Sequence, residues 1–171
     1  EETFNKHEQN PDVPYWLVDP LDGTREFINK SEEFTVNIAL IQNGSAIFGI
    51  VGAPATSEIW HGSIFDESKA LSTEPDGGNK KLRVVMSKSH QTEADKNLLK
   101  LLNNKNIDYQ VVEKGSSLKL CALADNKADI YPRFGPTSEW DIAAGNAVLS
   151  GSGGSVSLLG SGMPLPYNKE D

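Results

Sequence analysis

The sequence predicts a layered sandwich of the α+β or α/β class, in which an antiparallel meander sheet precedes an alternating β/α half. Asn43-Gly44 lies between two β-rich segments, which is a strong signal for a hairpin. Beyond residue 82, strand-like and helix-like segments alternate as they do in βαβ units. The chain has 171 residues, enough for a substantial core. We therefore expect two parts, residues 1–82 and residues 83–171.

The first part predicts short strands and one short helix. The apolar run 15–18 indicates a buried strand that ends at Asp19-Pro20, where proline lacks the N–H group of a continuing ladder. A short helix is expected within 24–34, with Thr24 as its candidate N-cap. The two hairpin strands are expected within 35–54, and a third antiparallel strand is expected at 57–65. Polar loops are expected at 3–14 and at 66–82.

The second part predicts strands that alternate with amphipathic helices. Thr92 is the candidate cap of the first of these helices. The expected strands cover 83–87, 107–115, 129–134 and 154–159, and the expected helices cover 92–104, 116–128 and 139–153.

Composition narrows the class of protein. The formal net charge of −8 argues against a nucleic-acid-binding face, which is normally basic. No apolar run approaches the roughly 20 residues of a membrane span. Cys121 is the single cysteine, so no disulfide can form within the chain and a reducing, cytoplasmic compartment is expected.

The stretch DPLDGT (19–24) places two carboxylates three positions apart around a proline. Mg²⁺ takes oxygen ligands from a few carboxylates and from substrate phosphates. Gly23 permits a tight turn, the Leu21 carbonyl is free to point inward, and Thr24 opens a helix whose first N–H groups attract anions. These parts fit a site for metal and phosphate, although an acidic turn with a helix cap has the same spacing.

Further carboxylates lie far away in the sequence. Asp141 follows Trp140 at the start of a helix of small residues. Its side chain either projects into a metal site or merely caps the helix and favours its dipole. Glu1 and Glu2 open the chain, where acidic residues are usually solvated. Taken singly, these carboxylates keep both interpretations open.

Together, WLVDPLDGTREF and the downstream WDIAAG resemble the signature of the inositol monophosphatase superfamily, which consists of lithium-sensitive, magnesium-dependent phosphomonoesterases. Within it, the chain is most similar to the CysQ-type 3'(2'),5'-bisphosphate nucleotidases. That closer resemblance rests on the residues after DGT and on the stretches FTVNIALI, MSKSH, GSSLKLC and YPRFGPTSEWD. The resemblance covers the chain from Glu1 to about Gly151.

The resemblance implies a hydrolase of sulfur metabolism that removes the 3'-phosphate from adenosine 3',5'-bisphosphate (PAP), giving AMP and phosphate. The sulfated nucleotide PAPS is a second implied substrate. Two or three Mg²⁺ ions are implied as cofactors. Their implied ligands are Glu1 (or Glu2, one position on), Asp19, the Leu21 carbonyl, Asp22 and Asp141.

The resemblance also implies catalytic and substrate-binding roles. Thr24 is expected to help orient the attacking water, Asp19 to bridge metal ions, and Asp22 to complete a second metal site together with Asp141. The residues implied for substrate binding are Gly23, Thr24, Ser87, Ser89, His90, Gly115, Ser116, Ser117, Lys119, Arg133 and Asp141. The motif serines at 87 and 89 and the histidine at 90 fit a cap of the following helix equally well.

Two other functions stay open. An inositol monophosphatase or broad sugar phosphatase shares the metal residues and differs in the substrate loops. A non-catalytic fragment that binds metal or phosphate is favoured by the start of the chain. The resemblance implies helices before the Glu-Glu motif that cover the sheet and supply an aspartate to the motif threonine. If Glu1 and Glu2 are that motif, we expect this helical layer to be absent here. Beyond a small phosphorylated substrate, no partner and no oligomeric state is indicated.

Overall fold

A computed structural model describes residues 13–66, 81–88 and 91–167 of the chain. Its strands are β1 (Tyr15–Asp22), β2 (Thr35–Gln42), β3 (Ser45–Ala53), β4 (Glu58–Ser63), β5 (Leu82–Ser87) and β6 (Tyr109–Lys114). Its helices are α1 (Thr24–Ile28), α2 (Glu93–Asn104), α3 (Leu118–Ala124) and α4 (Glu139–Gly151). Among these described helices, none has both the length and the apolar character needed to cross a membrane.

The predicted meander and βαβ unit are both present. Strands β1 to β4 form one antiparallel sheet in sequence order. Asn43 and Gly44 join β2 to β3 with φ values of 50° and 69°, as a type I′ turn requires. Strands β5 and β6 pair in parallel, and α2 connects them. The predicted layered fold class is therefore confirmed.

The sheets and helices pack in four layers. On the inner face of the four-stranded sheet, α4 residues such as Ala144 join Val51 in one core. Leu149 of α4 and several residues of α3 form a second core with Val85 of β5. Helix α2 covers the other face of β5 around Met86. The order is thus the four-stranded sheet, α3 with α4, the two-stranded sheet, and α2.

Helix α4 lies unusually close to the four-stranded sheet. A Cβ atom at Gly49 would lie 2.9 Å from Ala144 Cα, and one at Gly62 would lie 2.7 Å from Val148 Cα. These distances are too short for a methyl group, so only glycine allows the helix this approach. The close contact fixes the position of α4 on the sheet, and with it the position of Asp141 in the first turn of this helix.

Strand β1 and helix α1 differ from the predictions in two respects. Strand β1 does not stop at Pro20 but continues to Asp22. It is an edge strand of the sheet, where a missing N–H group is tolerated. The predicted N-cap of α1, Thr24, is wrong by one residue. Gly23 occupies that position with a φ of 85° and no side-chain cap bond.

Two predicted strands are wrong. Residues 129–134 contribute only a single parallel bridge between Ile130 and Val84, because proline follows two residues later and removes a ladder donor. Residues 154–159 contribute one bridge between Ser157 and Pro164. The helix predicted at 116–128 is shorter, since its first two serines contact a carboxylate instead. The predicted cap Thr92 is confirmed by its reciprocal bonds with Asp95.

The loops predicted at 3–14 and 66–82 lie almost entirely outside the described residues.

Candidate metal and phosphate site

An irregularity in β1 brings Asp19 and Asp22 to the same face of the sheet. In a regular strand, residues three positions apart point to opposite faces. Here Asp19 pairs with Asn37 and Asp22 pairs with Thr35, with a register shift between the two aspartates. One extra residue in β1 is therefore accommodated, as in a β-bulge. Since Asn37 and Thr35 share one face of β2, their two aspartate partners share it as well.

Asp141 completes a cluster of three carboxylates. One oxygen from each of Asp19, Asp22 and Asp141 lies within 4.8 Å of the other two. Asp141 belongs to the first turn of α4, where its Oδ2 accepts hydrogen bonds from Ser138 N at 3.1 Å and Thr137 Oγ1 at 2.9 Å. The side chain thus caps the helix and also lies beside the other carboxylates, so the two interpretations of the sequence are compatible.

Two serines before α3 hold the carboxylate of Asp22. Ser116 Oγ lies 2.5 Å and Ser117 Oγ 2.9 Å from Asp22 Oδ2. Ser117 Oγ is also 2.9 Å from the backbone carbonyl of Asp141, so one hydroxyl connects the strand carboxylate to the start of α4. Ser116 adopts a left-handed φ of 49°, and its hydroxyl lies 2.6 Å from Thr35 Oγ1.

Asn37 lies beside the cluster, in the middle of β2. Its residue surface is 1% exposed, and that of its cross-strand partner Asp19 is 2% exposed. Asn37 Nδ2 donates to Ser117 Oγ at 2.9 Å, whereas its Oδ1 has no hydrogen-bond partner among the described residues. Sequence reasoning missed both Asn37 and Thr35. The available signal was a pair of polar residues at alternate positions before the apolar run 38–41, since asparagine is a poor strand former.

The turn after β1 is held by short local contacts. Leu21 N donates to Asp19 Oδ1 at 3.0 Å, which orients that carboxylate. The Leu21 carbonyl accepts from Thr24 Oγ1 at 3.4 Å. Phe27 N donates to Gly23 O at 2.9 Å and closes the first turn of α1.

The donor set fits a hard divalent cation. Three carboxylates that meet within a few ångströms repel one another unless a cation or a proton separates them. Carboxylate and carbonyl oxygens are the ligands that Mg²⁺ and Ca²⁺ prefer, and this cluster offers no sulfur or imidazole among the described residues. Asn37 Oδ1, for which no described residue is a hydrogen-bond partner, is a neutral oxygen beside these carboxylates.

A pocket of about 290 Å³ opens at the cluster. The residues implied for the site that line this pocket are Asp22, Gly23, Ser87, Ser116, Ser117, Lys119, Arg133 and Asp141. Sequence reasoning did not single out the aromatic wall formed by Tyr131 and Phe134, although both belong to the stretch YPRF. Gly115 is buried just behind the lining, where a Cβ atom would lie 3.0 Å from Glu33 Cβ.

Three of the implied site residues, Glu1, Ser89 and His90, lie outside the described residues.

Two cationic side chains share the pocket with the carboxylates. Lys119 is buried, its Nζ donates to the Ser116 carbonyl at 2.7 Å, and it lies 5.6 Å from the centre of the Tyr131 ring. Burial lowers the pKa of Lys119 below its ordinary value, and the nearby charge of Asp22 opposes that shift. Arg133 is exposed and donates to Tyr131 Oη at 3.3 Å and to the Pro136 carbonyl at 2.9 Å. Both cations could meet an anionic ligand.

Comparisons with known proteins agree on one family. Residues 1–170 match the model of the inositol monophosphatase family. The 3'(2'),5'-bisphosphate nucleotidase CysQ of Escherichia coli K12 is 43% identical over 165 residues, which cover 92% of this chain and 63% of that protein. The chain therefore spans about three fifths of the length of this relative.

Solved structures with the same fold include two members of that family. The crystal structure of CysQ from Bacteroides thetaiotaomicron superposes with a TM-score of 0.81 at 36% identity, covering 92% of this chain and 66% of that one. An inositol monophosphatase from Anabaena gives a TM-score of 0.69 at 25% identity, covering 92% of this chain and 65% of that one.

Proposed function

Because the chain belongs to the inositol monophosphatase family, we propose that it carries the metal site and much of the substrate site of a phosphomonoesterase acting on PAP. The reaction is hydrolysis of the 3'-phosphate, which yields AMP and inorganic phosphate, with PAPS as a second substrate. The similarity to CysQ nucleotidases over 92% of the chain favours a nucleotide over inositol phosphate.

One observation carries this proposal: two members of the three-carboxylate cluster and two cationic side chains line a single pocket. Asp22 and Asp141 line it together with Lys119 and Arg133. A nucleotide bisphosphate needs a cation-loaded site for the reacting phosphate and a second cationic site for the other phosphate. The aromatic side chain of Tyr131 in the same pocket suits a nucleobase.

The residues have distinct proposed roles. Asp19, Asp22, Asp141 and the Leu21 carbonyl hold two or three Mg²⁺ ions, with Glu1 as a further ligand. Such ions lower the pKa of a bound water and stabilise charge on the attacking and leaving oxygens. Thr24 orients the attacking water, and the backbone N–H groups of Gly23 and Thr24 hold phosphate oxygens.

Further residues are proposed to bind the substrate. The contacts with the nucleotide and its phosphates are assigned to Ser87, Ser89, His90, Gly115, Ser116, Ser117, Lys119, Arg133 and Asp141.

A reducing, cytoplasmic location belongs to the same proposal. It is supported by the single cysteine, Cys121, which is buried and free.

The test is Mg²⁺-dependent phosphate release from PAP and from inositol 1-phosphate, measured side by side on the purified protein. Faster release from PAP is expected. Faster release from inositol 1-phosphate would instead favour the monophosphatase alternative, and Mg²⁺ binding without release from either substrate would favour a non-catalytic fragment.

Asp141→Asn provides the link between the activity and the carboxylate cluster. This variant should lose phosphate release by orders of magnitude, since it removes one of the anionic ligands proposed for the metal ions. Asp108→Asn is the matched control, because Asp108 is exposed and lies at the opposite end of the β5–β6 pair from Ser87 and Lys114. Equal losses in both variants would contradict the proposed metal role.

A further inference from the structure

Asn37 combines deep burial with an unsatisfied acceptor. It is 1% exposed, and its Oδ1 has no hydrogen-bond partner among the described residues. A buried polar atom left without a partner destabilises the fold, so proteins rarely keep one without a reason. The residue is a polar insertion in the apolar strand β2, where a valine or an isoleucine would form a better strand.

The side chain of Asn37 is next to Asp19 in the sheet and is connected to Asp22 through Ser117. In the β1–β2 register Asn37 stands directly opposite Asp19, on the same face of the sheet. Cβ atoms of such cross-strand partners are about 4.5–5.5 Å apart. On its other side, Asn37 Nδ2 donates to Ser117 Oγ, which itself lies 2.9 Å from Asp22 Oδ2. The side chain is therefore held in place by its own amide donor, with Oδ1 left available.

The carboxylates beside Asn37 cannot satisfy Oδ1, because an ionised carboxylate only accepts hydrogen bonds. The hydroxyl of Ser117 is already the acceptor for Asn37 Nδ2 and lies within hydrogen-bonding distance of Asp22 Oδ2 and the Asp141 carbonyl. No described residue donates to Oδ1, and a bound water molecule can. Mg²⁺ usually keeps several water ligands, and a water polarised by a cation is a strong donor.

We propose that Asn37 Oδ1 accepts a hydrogen bond from a water molecule in the coordination sphere of a cation held by Asp19, Asp22 and Asp141. This assignment rests on the proposed metal site. Asn37 is then a positioning residue, which orients a water ligand without touching the cation. Partners of this kind typically change metal affinity by about 10–100-fold when they are removed.

The experiment measures Mn²⁺ affinity by titration of the free-ion electron paramagnetic resonance signal, with Mn²⁺ replacing Mg²⁺ as the probe. Asn37→Leu removes the acceptor and the donor at nearly constant volume, and we expect its Mn²⁺ affinity to fall about 10–100-fold. Asn37→Asp keeps an acceptor oxygen in the same place and removes only the amide donor. Its Mn²⁺ affinity should equal or exceed that of the unmodified protein.

Controls separate this role from a merely structural one. Asn146→Leu removes another amide, whose Nδ2 donates to Tyr167 Oη at 2.8 Å, and should lower the unfolding temperature without changing Mn²⁺ affinity. Unchanged affinity in Asn37→Leu, or equal losses in Asn37→Leu and Asn37→Asp, would overturn the proposal. If Asn37→Leu does not fold, a loss of affinity in Asn37→Asp alone overturns it.

Asp22→Asn distinguishes failure of this inference from failure of the proposed function. It should abolish Mn²⁺ binding if the three carboxylates hold the cation. Normal Mn²⁺ binding by Asp22→Asn would refute the metal site itself. Loss of binding in Asp22→Asn with normal binding in Asn37→Leu would refute only the role of Asn37.

Discussion

Ser117 Oγ lies 2.9 Å from Asp22 Oδ2, although 95 positions separate the two residues in the chain. Asp22 ends the edge strand of the four-stranded sheet, and Ser117 immediately precedes α3. The contact therefore joins the antiparallel meander to the β/α half at the point where the carboxylates meet.

Ser117→Ala should destabilise the fold and weaken cation binding together. The substitution removes a hydrogen bond to Asp22 and leaves Asn37 Nδ2 without its acceptor, which predicts a loss of about 1–3 kcal/mol in the free energy of unfolding. Urea unfolding and Mg²⁺ calorimetry on the same preparation measure both effects. Ser45→Ala, at an exposed serine that begins β3, should change neither quantity. If Ser117→Ala has the same free energy of unfolding and the same Mg²⁺ affinity as the unmodified protein, the contact stabilises neither the fold nor the bound cation.

Gly49→Ala should disturb the site from a distance. The new methyl group would clash with Ala144 on α4, and overpacking of this kind costs about 1–3 kcal/mol. Because Asp141 lies at the start of the same helix, we also expect weaker Mg²⁺ binding. Gly52→Ala is the matched control on the same strand, since its nearest neighbour, Val36 O, is 4.0 Å away. Similar unfolding curves for the two alanine variants would contradict this explanation.

Mg²⁺ should raise the stability of the protein through the carboxylate cluster. A ligand that binds only the native state adds about 2.7 kcal/mol at a hundred times its dissociation constant. Chemical unfolding with Mg²⁺ and with EDTA, at matched ionic strength, measures this gain. Asp22→Asn should show almost no gain. An equal gain in Asp22→Asn would mean that the ion acts elsewhere on the protein.

Cys121 should make the protein less stable as the pH rises. Burial, and secondarily the charge of Asp125, raises the pKa of the Cys121 thiol above its ordinary value. The unfolded thiol therefore loses its proton at lower pH than the native one. The native state then binds more protons, and the free energy of unfolding falls by about 1.4 kcal/mol per pH unit above about pH 8.5.

The measurement is urea unfolding across this alkaline range for the natural protein and for Cys121→Ala. The alanine variant lacks the thiol contribution, so its stability should decline less steeply with pH. Parallel pH profiles of the two proteins would rule out Cys121 as the source of the slope.

Local signals explain why much of the fold was predictable. The Asn43-Gly44 turn and the Thr92 cap depend on residues within a few positions of each other, and both form as expected. The strand expected at 129–134 ends after one bridge because Pro132 removes a ladder donor, and only the pairing in the folded protein shows whether a proline's position needs that donor. Strand β1 passes Pro20 for a related reason, since only the sheet order makes it an edge strand.

The residues of the candidate site were also predictable only in part. The motif residues Asp19, Asp22 and Asp141 were selected from the sequence, and the structure brings their carboxylates within 4.8 Å of one another. Asn37 and Thr35 were missed, because a polar residue inside a strand has no meaning until the strand's partner and face are known.

The sequence by itself determined the class of fold, the acidic turn and the family resemblance, because these reside in short-range patterns and in the identity of the side chains. Only the tertiary structure decided how the carboxylates converge. Asp19 and Asp22 share a face because the register between β1 and β2 shifts by one residue. Asp141 reaches them because glycines such as Gly49 let α4 lie directly on the sheet. Both depend on contacts between segments far apart in the chain.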